Sequence, residues 1–379
     1  MRPKTTFRFT WAVIISALFF SFLAYASDGD QIDNDETVVF FPSYGYFKSS
    51  QSQWVIRIQG HIFEPSDSRI KRSAARSGFE AYTGSTVQDE DEFWRRIRPL
   101  VSDDESGEKV KIKIGEHTYA LPASSAGGRL KGELTLPDRE ARQLMDSKGW
   151  ITFSATSEDH RTSAGKVQLI PDHGVSIISD IDDTIKITEV YKDKKTMLIN
   201  TFDRPMKAAP GISDFYRQLN HPDARFHYLS GSPWQLFPVL DEFLVAYSFP
   251  VGSFNMKEFR ANPISSEFWD FIARGSTPEF KKEVIKDIMT SYPNRQFILI
   301  GDSGEQDPEI YGWAAIAYPD QVKQIYIRNV TREQFGNERM QDAFKKSINK
   351  VRFIDMNDGS IKRPIGSEAL SFFWLTSPI

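Results

Sequence analysis

Carboxylate and hydroxyl side chains follow directly after three predicted strands of this chain. Asp180 and Asp182 come after a short buried run, Ser230 follows a second strand, and Asp302 ends a third, with Asp307 shortly behind it. Functional groups of parallel α/β sheets gather at the carboxyl ends of the strands. We therefore expect these side chains to share one rim of a sheet.

This set of residues suits the transfer of a phosphoryl group to a carboxylate. Carboxylates packed together are unfavourable unless a cation or protons neutralise them, and hard oxygen ligands at a phosphate site favour Mg²⁺. A free carboxylate can attack phosphorus and form an aspartyl-phosphate, while a second carboxyl group two residues further on can move the protons. A lysine on the helix predicted to open at Thr277 would hold the transferring oxygens.

The order of these motifs resembles a known superfamily. Asp180-x-Asp182-x-Thr184, Ser230 after a strand, a lysine on a helix and Asp302-x4-Asp307 are similar to the four motifs of the haloacid-dehalogenase (HAD) phosphohydrolases. Longer stretches of sequence resemble a narrower group, the catalytic domain of the actin-patch-protein type of Mg²⁺-dependent phosphatidate phosphatase. These stretches are Ser179 to Lys186, Tyr228 to Trp234, Leu299 to Gly304 and Asp307 to Tyr311. The resemblance covers about Val175 to Arg332.

The resemblance implies a role for each residue of the first motif. Asp180 is the nucleophile and a metal ligand. Asp182 is the general acid and base and offers its backbone carbonyl to the metal. Thr184 braces the turn that holds both carboxylates.

The same resemblance assigns the other motifs. Ser230 and Gly231 bind the phosphoryl group, and Lys281 bridges the phosphate and the nucleophile. Asp302 is a Mg²⁺ ligand, and Asp307 supports the metal shell.

The catalytic lysine has a neighbour of the same type. Lys281 and Lys282 both lie near the start of the predicted helix. Ile285 follows Lys281 at the spacing usual in the family, which favours Lys281. Phe280 departs from the family pattern, in which a histidine is expected there.

The amino-acid composition narrows the classes of protein to which this chain can belong. The chain has 379 residues, of which 40% are hydrophobic and 26% charged, with no cysteine and a net charge of −4. This is the composition of a folded globular protein with room for two domains. The absence of cysteine excludes thiol catalysis, zinc–thiolate sites and disulfides. The slight acidic excess argues against nucleic-acid binding, because nucleic-acid binders normally carry a basic surplus.

The first part of the chain combines a targeting signal with strand-like patterns. Arg2, Lys4 and Arg8 precede an apolar run that ends in a small-x-small motif at Ala26, which predicts a signal peptide over residues 1–26 and an exported, periplasmic or secreted protein. An acidic linker over 27–36 follows. Short alternating runs over 37–171 predict a small all-β sandwich or barrel domain, with one helix over Glu90 to Leu100.

Strands and helices alternate over residues 172–379, which predicts an α/β catalytic domain. The buried runs Val175 to Ser179, Phe226 to Leu229, Gln296 to Ile300 and Val322 to Ile327 are typical of strands. Helical spacing separates them. We expect a HAD-like Rossmannoid parallel sheet with helices on both faces.

The most direct interpretation is a Mg²⁺-dependent phosphatase that converts phosphatidate at a membrane surface to diacylglycerol and phosphate. The lipid substrate is implied by the resemblance alone. An exported phosphatase of soluble phosphomonoesters and a non-catalytic lipid-binding or adhesion module are the alternatives. Trp234 is either a core residue or a contact for an acyl chain at the mouth of the site. Nothing in the sequence of the β region indicates its protein partner.

Overall fold

The structure is a computed structural model that describes residues 32–258, 266–272, 277–333 and 336–362. The predicted signal peptide and residues 27–31 of the predicted linker lie outside these ranges. Within them, no helix is long and apolar enough to cross a membrane. The described chain forms two sheets with helices around them.

The first sheet contains nine strands. They are β1 (Thr37–Phe40), β2 (Ser43–Lys48), β3 (Gln53–Glu64), β4 (Asp103–Asp104), β5 (Lys111–Ile114), β6 (His117–Ala120), β7 (Arg129–Pro137), β8 (Trp150–Thr156) and β9 (Thr162–Ile170). Their order is β1-β3-β2-β9-β8-β5-β6, and β4 and β7 also pair with β3. All pairs are antiparallel except β2 with β9.

The two faces of β3 serve different purposes. Because side chains alternate along a strand, Ile56, Ile58 and Ile62 point into a core that this sheet forms with its own strands. Arg57 and Gln59 lie on the opposite face, which meets the second sheet and its helices. β3 therefore contributes polar side chains to the face that meets the rest of the molecule, beside apolar residues such as Tyr44 and Ile170.

The prediction of an all-β region is wrong in one respect, because three helices accompany the first sheet. They are α1 (Arg69–Thr83), α2 (Glu90–Val101) and α3 (Asp138–Leu144). The predicted helix over Glu90 to Leu100 corresponds to α2. Phe79 of α1 packs against Trp269 at a ring distance of 5.3 Å and shares a core with residues of the second sheet, so α1 joins the helices beside that sheet. Its buried residues, Ala75, Phe79 and Thr83, recur every four positions within a strongly charged segment.

The second sheet has seven strands and follows the predicted pattern. They are β10 (Val175–Asp180), β11 (Ala224–Pro233), β12 (Gly252–Lys257), β13 (Gln296–Asp302), β14 (Val322–Asn329), β15 (Val351–Asp355) and β16 (Ile361–Lys362). Their order is β12-β11-β10-β13-β14-β15-β16. All pairs are parallel except β15 with β16.

Helices cover both sides of this sheet, which confirms the mixed α/β class. They are α4 (Lys194–Phe202), α5 (Ile212–Leu219), α6 (Phe237–Ala246), α7 (Ser266–Ile272), α8 (Pro278–Ser291), α9 (Asp307–Ala317) and α10 (Glu338–Phe344). Residues of α1, α2 and α4 to α7 share one core with Ile177 and Tyr228. Residues of α8 to α10 share the other with Ile178 and Leu229.

The strand order defines where a ligand would bind. The chain passes from β10 to β11 and β12 on one side and then returns to β13 on the other side of β10. The crevice at the carboxyl ends of β10 and β13 is therefore a topological switch point, the usual ligand position in open α/β sheets.

The two sheets meet at a polar junction beside α8. Arg57 donates to Asp287 of α8 at 2.6 and 3.1 Å, and the Tyr44 hydroxyl donates to the same carboxylate at 2.6 Å. Tyr292 at the end of α8 donates to the Gly45 carbonyl at 3.0 Å. These contacts fix the first sheet against the helix that carries Lys281.

Candidate active site

The turn after β10 is braced by hydrogen bonds to Asp183. Asp183 lies in the left-handed region, with φ at 54°, and its carboxylate accepts the backbone N–H groups of Thr188, Glu189 and Val190 at 2.6 to 2.8 Å. The Asp183 carbonyl accepts a hydrogen bond from Arg328 at 2.6 Å. The bracing of this turn thus comes from Asp183. Thr184 is buried, and its hydroxyl has no partner among the described residues.

Asp180, the last residue of β10, is paired with a buried lysine. Its Oδ1 accepts a hydrogen bond from Lys281 Nζ at 2.8 Å, and both side chains are only 1% exposed. Its Oδ2 is buried and has no hydrogen-bond partner in the described chain. Burial is the main reason that the pKa of Asp180 is raised well above its usual value, although Lys281 opposes the shift. One oxygen is therefore left for a further ligand.

Asp182 lies in a different environment, surrounded by donors. Its Oδ1 accepts from Lys186 Nζ and the Thr188 hydroxyl, both at 2.8 Å. Its Oδ2 accepts from the Ser230 and Ser232 hydroxyls at 3.2 and 3.1 Å. Burial alone would raise the pKa of Asp182, but Lys186 and these hydroxyls hold it below its usual value. The two carboxylates of the first motif are thus held in opposite electrostatic environments.

The end of β13 brings a second pair of carboxylates to the same place. Asp302 Oδ1 accepts the backbone N–H groups of Gly304 and Glu305 at 2.6 and 3.1 Å. Asp307, the first residue of α9, accepts the Asp302 N–H at 3.2 Å and pairs with Lys281 at 2.6 Å. A Cβ on Gly301 would lie 2.3 Å from the Asp307 carboxylate, so only glycine permits this close approach.

Asp180, Asp302 and Asp307 form a cluster suited to a hard divalent cation. One carboxylate oxygen of each lies within 4.8 Å of the others, and all three residues are buried. Asp180 Oδ2 and Asp302 Oδ2 have no hydrogen-bond partner within the described ranges. Burial and the neighbouring Asp307 and Glu305 raise the pKa of Asp302. Because orphaned carboxylate oxygens in a low-dielectric site are unfavourable, the residues present fit an oxygen-ligated cation.

The structure separates the two neighbouring lysines. Lys281 is buried and reaches Asp180, Asp307 and Glu305, the last at 3.0 Å. Lys282 lies over the ring of Trp313 at 5.7 Å, on another side of α8. Burial alone would lower the pKa of Lys281, but the surrounding carboxylates raise it well above its usual value.

The phosphate-binding motif of the prediction lies on β11. Ser230 is buried, and its Oγ accepts the Ser232 N–H at 3.0 Å. Gly231 lies where the pairing of β11 with β12 shifts register between Ser230 and Pro233. Trp234, which follows, is 1% exposed and packs between Phe41 and His61. Trp234 is therefore a core residue, and the alternative of an acyl-chain contact is wrong.

Sequence reasoning missed four residues that complete the site. Lys186, Thr188 and Ser232 hold Asp182, and Glu305 is the third carboxylate partner of Lys281. Each lies within a few residues of a predicted motif, so proximity to the motif was the available signal. Their directions depend on the turn geometry, which the residue types alone do not determine.

Comparisons with known proteins relate β10 to β14 of the second sheet to a family. Residues 175–329, which include every site residue named above, match the family model described as Phosphatidate phosphatase APP1, catalytic domain. Phosphatidate phosphatase APP1 of Saccharomyces cerevisiae is 30% identical over 293 residues, covering 76% of this chain and 49% of that protein. An uncharacterized protein of Schizosaccharomyces pombe is 31% identical over 206 residues, covering 53% of this chain and 33% of that protein.

Two further facts qualify these matches. The chain spans about half the length of the first relative and about a third of the second. Among solved structures, a β-glucuronidase of Parabacteroides merdae has 9% identity and a TM-score of 0.25, with 82% of this chain and 34% of that chain covered. A TM-score this low supports no inference. The predicted resemblance to phosphatidate phosphatases of the actin-patch-protein type is confirmed by the family model and the first relative.

Proposed function

We propose that this chain, whose residues 175–329 carry a catalytic domain of the phosphatidate phosphatase APP1 family, hydrolyses a phosphomonoester through an aspartyl-phosphate with the help of Mg²⁺. The favoured substrate is phosphatidate, and the products are diacylglycerol and phosphate. The catalytic half is taken to be a HAD-like domain.

The strongest support for this proposal is the buried cluster of carboxylates around Lys281. A fully buried lysine joins Asp180 to Asp307, while the second oxygen of Asp180 and one oxygen of Asp302 lack partners in the described chain. Buried charge of this kind is costly unless it serves binding or chemistry. A vestigial site would gain stability by replacing these carboxylates with apolar residues, so the arrangement favours an active enzyme over a non-catalytic lipid-binding module.

The two carboxylates of the first motif divide the reaction between them. Asp180 attacks phosphorus, the bond from phosphorus to the leaving oxygen breaks, and Asp182 gives its proton to that oxygen. In the second step Asp182 accepts a proton from water, the water oxygen attacks the acyl phosphate, and inorganic phosphate leaves Asp180 free. The donors around Asp182 favour its ionised form, which accepts the proton of water in the second step. In the proposed cycle, that proton stays on Asp182 and is given to the leaving oxygen of the next substrate.

The remaining residues bind and orient. Ser230 and the backbone of Gly231 hold the oxygens of the transferring group, and Lys281 keeps Asp180 in position. Asp180, Asp302 and the backbone carbonyl of Asp182 would hold the Mg²⁺ ion, with Asp307 supporting this set. The ion would supply charge neutralisation for the phosphate oxygens when bound.

The proposed substrate class rests on the family match. A phosphate-release assay with Mg²⁺ over phosphatidate micelles and soluble phosphomonoesters decides between them. We expect the highest kcat/KM for phosphatidate. Release from soluble substrates alone would contradict the lipid assignment and leave the phosphatase assignment intact.

The chemical steps have their own test. In Asp182→Asn, an activated aryl phosphate should still phosphorylate Asp180, because a good leaving group needs little acid help, and the intermediate should accumulate. Reductive labelling and mass spectrometry identify the modified residue. Asp302→Asn should weaken Mg²⁺ binding measured by calorimetry. Label on Ser230, or phosphorus inversion with no phosphoenzyme in any variant, would contradict the mechanism.

Export is a separate proposal, supported by the charged, apolar and small-residue order of residues 1–26. Mass spectrometry of the secreted or periplasmic fraction should find Ser27 as the new N-terminus. Recovery of only the full-length chain from the cytosol would contradict it.

A further inference from the structure

Arg339 on α10 reaches back to the loop that follows β13. Its guanidinium donates to the Ser303 carbonyl at 2.7 Å and also donates to the Glu305 carbonyl. Both carbonyls belong to the loop 302–307, which carries two carboxylates of the candidate cation cluster. A side chain that follows this loop by more than thirty residues therefore holds the backbone on which those carboxylates depend.

One peptide group connects this contact to Asp302. A trans peptide group points its C=O and its N–H in opposite directions. The carbonyl of the peptide between Ser303 and Gly304 accepts from Arg339, and its N–H donates to Asp302 Oδ1 at 2.6 Å. The Glu305 N–H donates to the same oxygen at 3.1 Å. Because Oδ1 is held in this way, Oδ2 is the oxygen of Asp302 that has no hydrogen-bond partner in the described chain.

Two carboxylates fix the direction of the guanidinium. Arg339 Nε donates to Glu309 of α9 at 2.7 Å, and a terminal nitrogen donates to the other oxygen of the same carboxylate at 3.1 Å. The second terminal nitrogen donates to Glu333 at 2.9 Å. Because the guanidinium is a rigid planar fork, these contacts determine the direction of the N–H groups that reach the loop.

The helix that carries Arg339 is packed closely on α9. Met340 and Phe344 of α10 are buried in one core with residues of α9. A Cβ on Gly312 of α9 would overlap the Ala343 carbonyl oxygen, so this glycine permits the close approach of the two helices. The position of Arg339 beside the loop therefore follows from the packing of α10 on α9.

We propose that Arg339 is a positioning residue of the cation site, which acts through the backbone of the loop 302–307 to orient Asp302. Removal of a partner that orients a metal ligand from outside typically weakens metal affinity or activity by about 10–100-fold. Arg339 lies outside residues 175–329, so the family match assigns it no role. The inference rests on the proposed function, because it takes Mg²⁺ to bind beside Asp302.

The sign of the effect separates positioning from simple electrostatics. A positive charge near a cation site repels the cation, so loss of the Arg339 charge alone would tighten Mg²⁺ binding. Loss of the contacts with the Ser303 and Glu305 carbonyls would instead release the loop that orients Asp302 and would weaken binding. Weaker Mg²⁺ binding after the loss of a positive charge is therefore specific to the positioning role.

The test is titration calorimetry of the full chain with Mg²⁺ alone. Arg339→Gln should raise the Kd for Mg²⁺ about tenfold. Arg339→Lys, which keeps the charge but not the planar fork, is a milder second variant and should give an intermediate Kd. An unchanged or lower Kd in Arg339→Gln would overturn the proposal.

Arg142→Gln is the matched control for net charge. Arg142 of α3 is 64% exposed and pairs with Asp138 at 2.8 Å, so its loss should leave the Kd for Mg²⁺ as in wild type. An equal rise of the Kd in Arg142→Gln and Arg339→Gln would overturn the proposal, because no effect specific to the loop would remain.

Steady-state kinetics give a second readout. In phosphate release from an activated aryl phosphate, Arg339→Gln should raise the Mg²⁺ concentration at half-maximal rate about tenfold. The kcat at saturating Mg²⁺ should fall less than about threefold, since the ion restores the orientation of Asp302 when it is bound. A large fall in kcat that saturating Mg²⁺ does not reverse would contradict a role limited to positioning the cation site.

Calorimetry requires no turnover, so this inference and the proposed function can fail separately. Mg²⁺ binding that depends on Arg339, in a protein that releases no phosphate from any substrate, would support the positioning role and contradict the phosphatase. Mg²⁺-dependent phosphate release with the same Kd in wild type and Arg339→Gln would do the reverse. A wild-type chain that binds no Mg²⁺ would overturn both the cation site and this inference.

Discussion

Helix α8 carries two polar clusters that differ in how well their charges are matched. Near its centre, Asp287 accepts from Arg57 and Tyr44, and Arg57 also pairs with Glu133 at 3.1 Å. The Asp287 side chain remains about half exposed. Every charged group in this junction cluster has a partner and access to water.

Near the start of the same helix, Lys281 lies in a cluster whose charges do not balance. Four carboxylates, those of Asp180, Asp302, Glu305 and Asp307, surround the one ammonium in a buried space. Two of their oxygens have no partner among the described residues. The difference indicates that the junction cluster stabilises the fold, whereas the active-site cluster is arranged for a ligand at the expense of stability.

The largest expected effect concerns Asp180, the proposed nucleophile. Asp180→Asn keeps the shape of the side chain and removes the attacking charge, so turnover should fall at least about a thousandfold. The unfolding temperature without divalent cations should stay the same or rise, because a buried charge is lost. Steady-state kinetics and thermal unfolding measure both.

Asp287→Asn is the control for the nucleophile, because it changes the same group in the junction cluster and should leave turnover nearly unchanged. If Asp180→Asn kept more than a tenth of the wild-type kcat, a loss of under about 1.4 kcal/mol, Asp180 would not be the nucleophile.

The next effect is on stability. Lys281→Met leaves the buried carboxylates without their cation and should destabilise the fold by about 3–5 kcal/mol in the absence of divalent metal. Added Mg²⁺ should recover part of this loss. Urea unfolding with and without the ion provides the measurement.

Lys282→Met is the matched control for this stability change, since it removes only a contact with Trp313 and should cost under about 1 kcal/mol. An equal loss in the free energy of unfolding of Lys281→Met and Lys282→Met would show that the two lysines contribute equally to stability, which would contradict this prediction.

A third effect depends on pH and tests the junction. His227 is buried between Ser253 and Ser176 and packs edge-on against Tyr44 at 5.3 Å. Burial and Arg295 lower its pKa to about 3. The unfolded chain binds a proton at this histidine below about pH 6.5, whereas the folded chain binds it only near pH 3. The free energy of unfolding is therefore at its full value above about pH 6.5 and falls as the pH decreases toward 3. The loss is at most about 1.4 kcal/mol per pH unit.

Replacement of this histidine should make the acid-induced loss of stability shallower. His227→Gln and the exposed control His117→Gln are compared by urea unfolding from pH 7 to pH 4. Identical slopes in wild type and His227→Gln would exclude His227 as the source.

The smallest effect is expected at the junction ion pair itself. Arg57→Met should cost about 1 kcal/mol, because the partners are partly exposed and screened by water. The kcat should change less than about threefold if the ion pair between Arg57 and Asp287 contributes only to stability. A double-mutant cycle with Asp287→Asn isolates the coupling, and a large fall in kcat would show that the junction also positions Lys281.

Much of the second sheet could be predicted from local patterns. β10, β11, β13 and β14 correspond to the four predicted buried runs, and α8 corresponds to the helix predicted to open at Thr277. The helical spacing expected between the strands is also confirmed. The first region was harder. α1 has few apolar residues in a highly charged segment, and it is stabilised by packing against α7 and the other sheet, so its sequence alone gave a weak signal.

The sequence by itself determined which residue types stand at the strand ends, because strand length and motif order place Asp180, Ser230 and Asp302 at one rim. Only the tertiary structure decided which neighbours complete the site. Lys281 and Lys282 differ by about 100° around α8, so the packing of that helix on the sheet turns one toward Asp180 and the other toward Trp313. Arg57 and Asp287 likewise meet only because the two sheets pack together, and no local pattern specifies a contact between such distant parts of the chain.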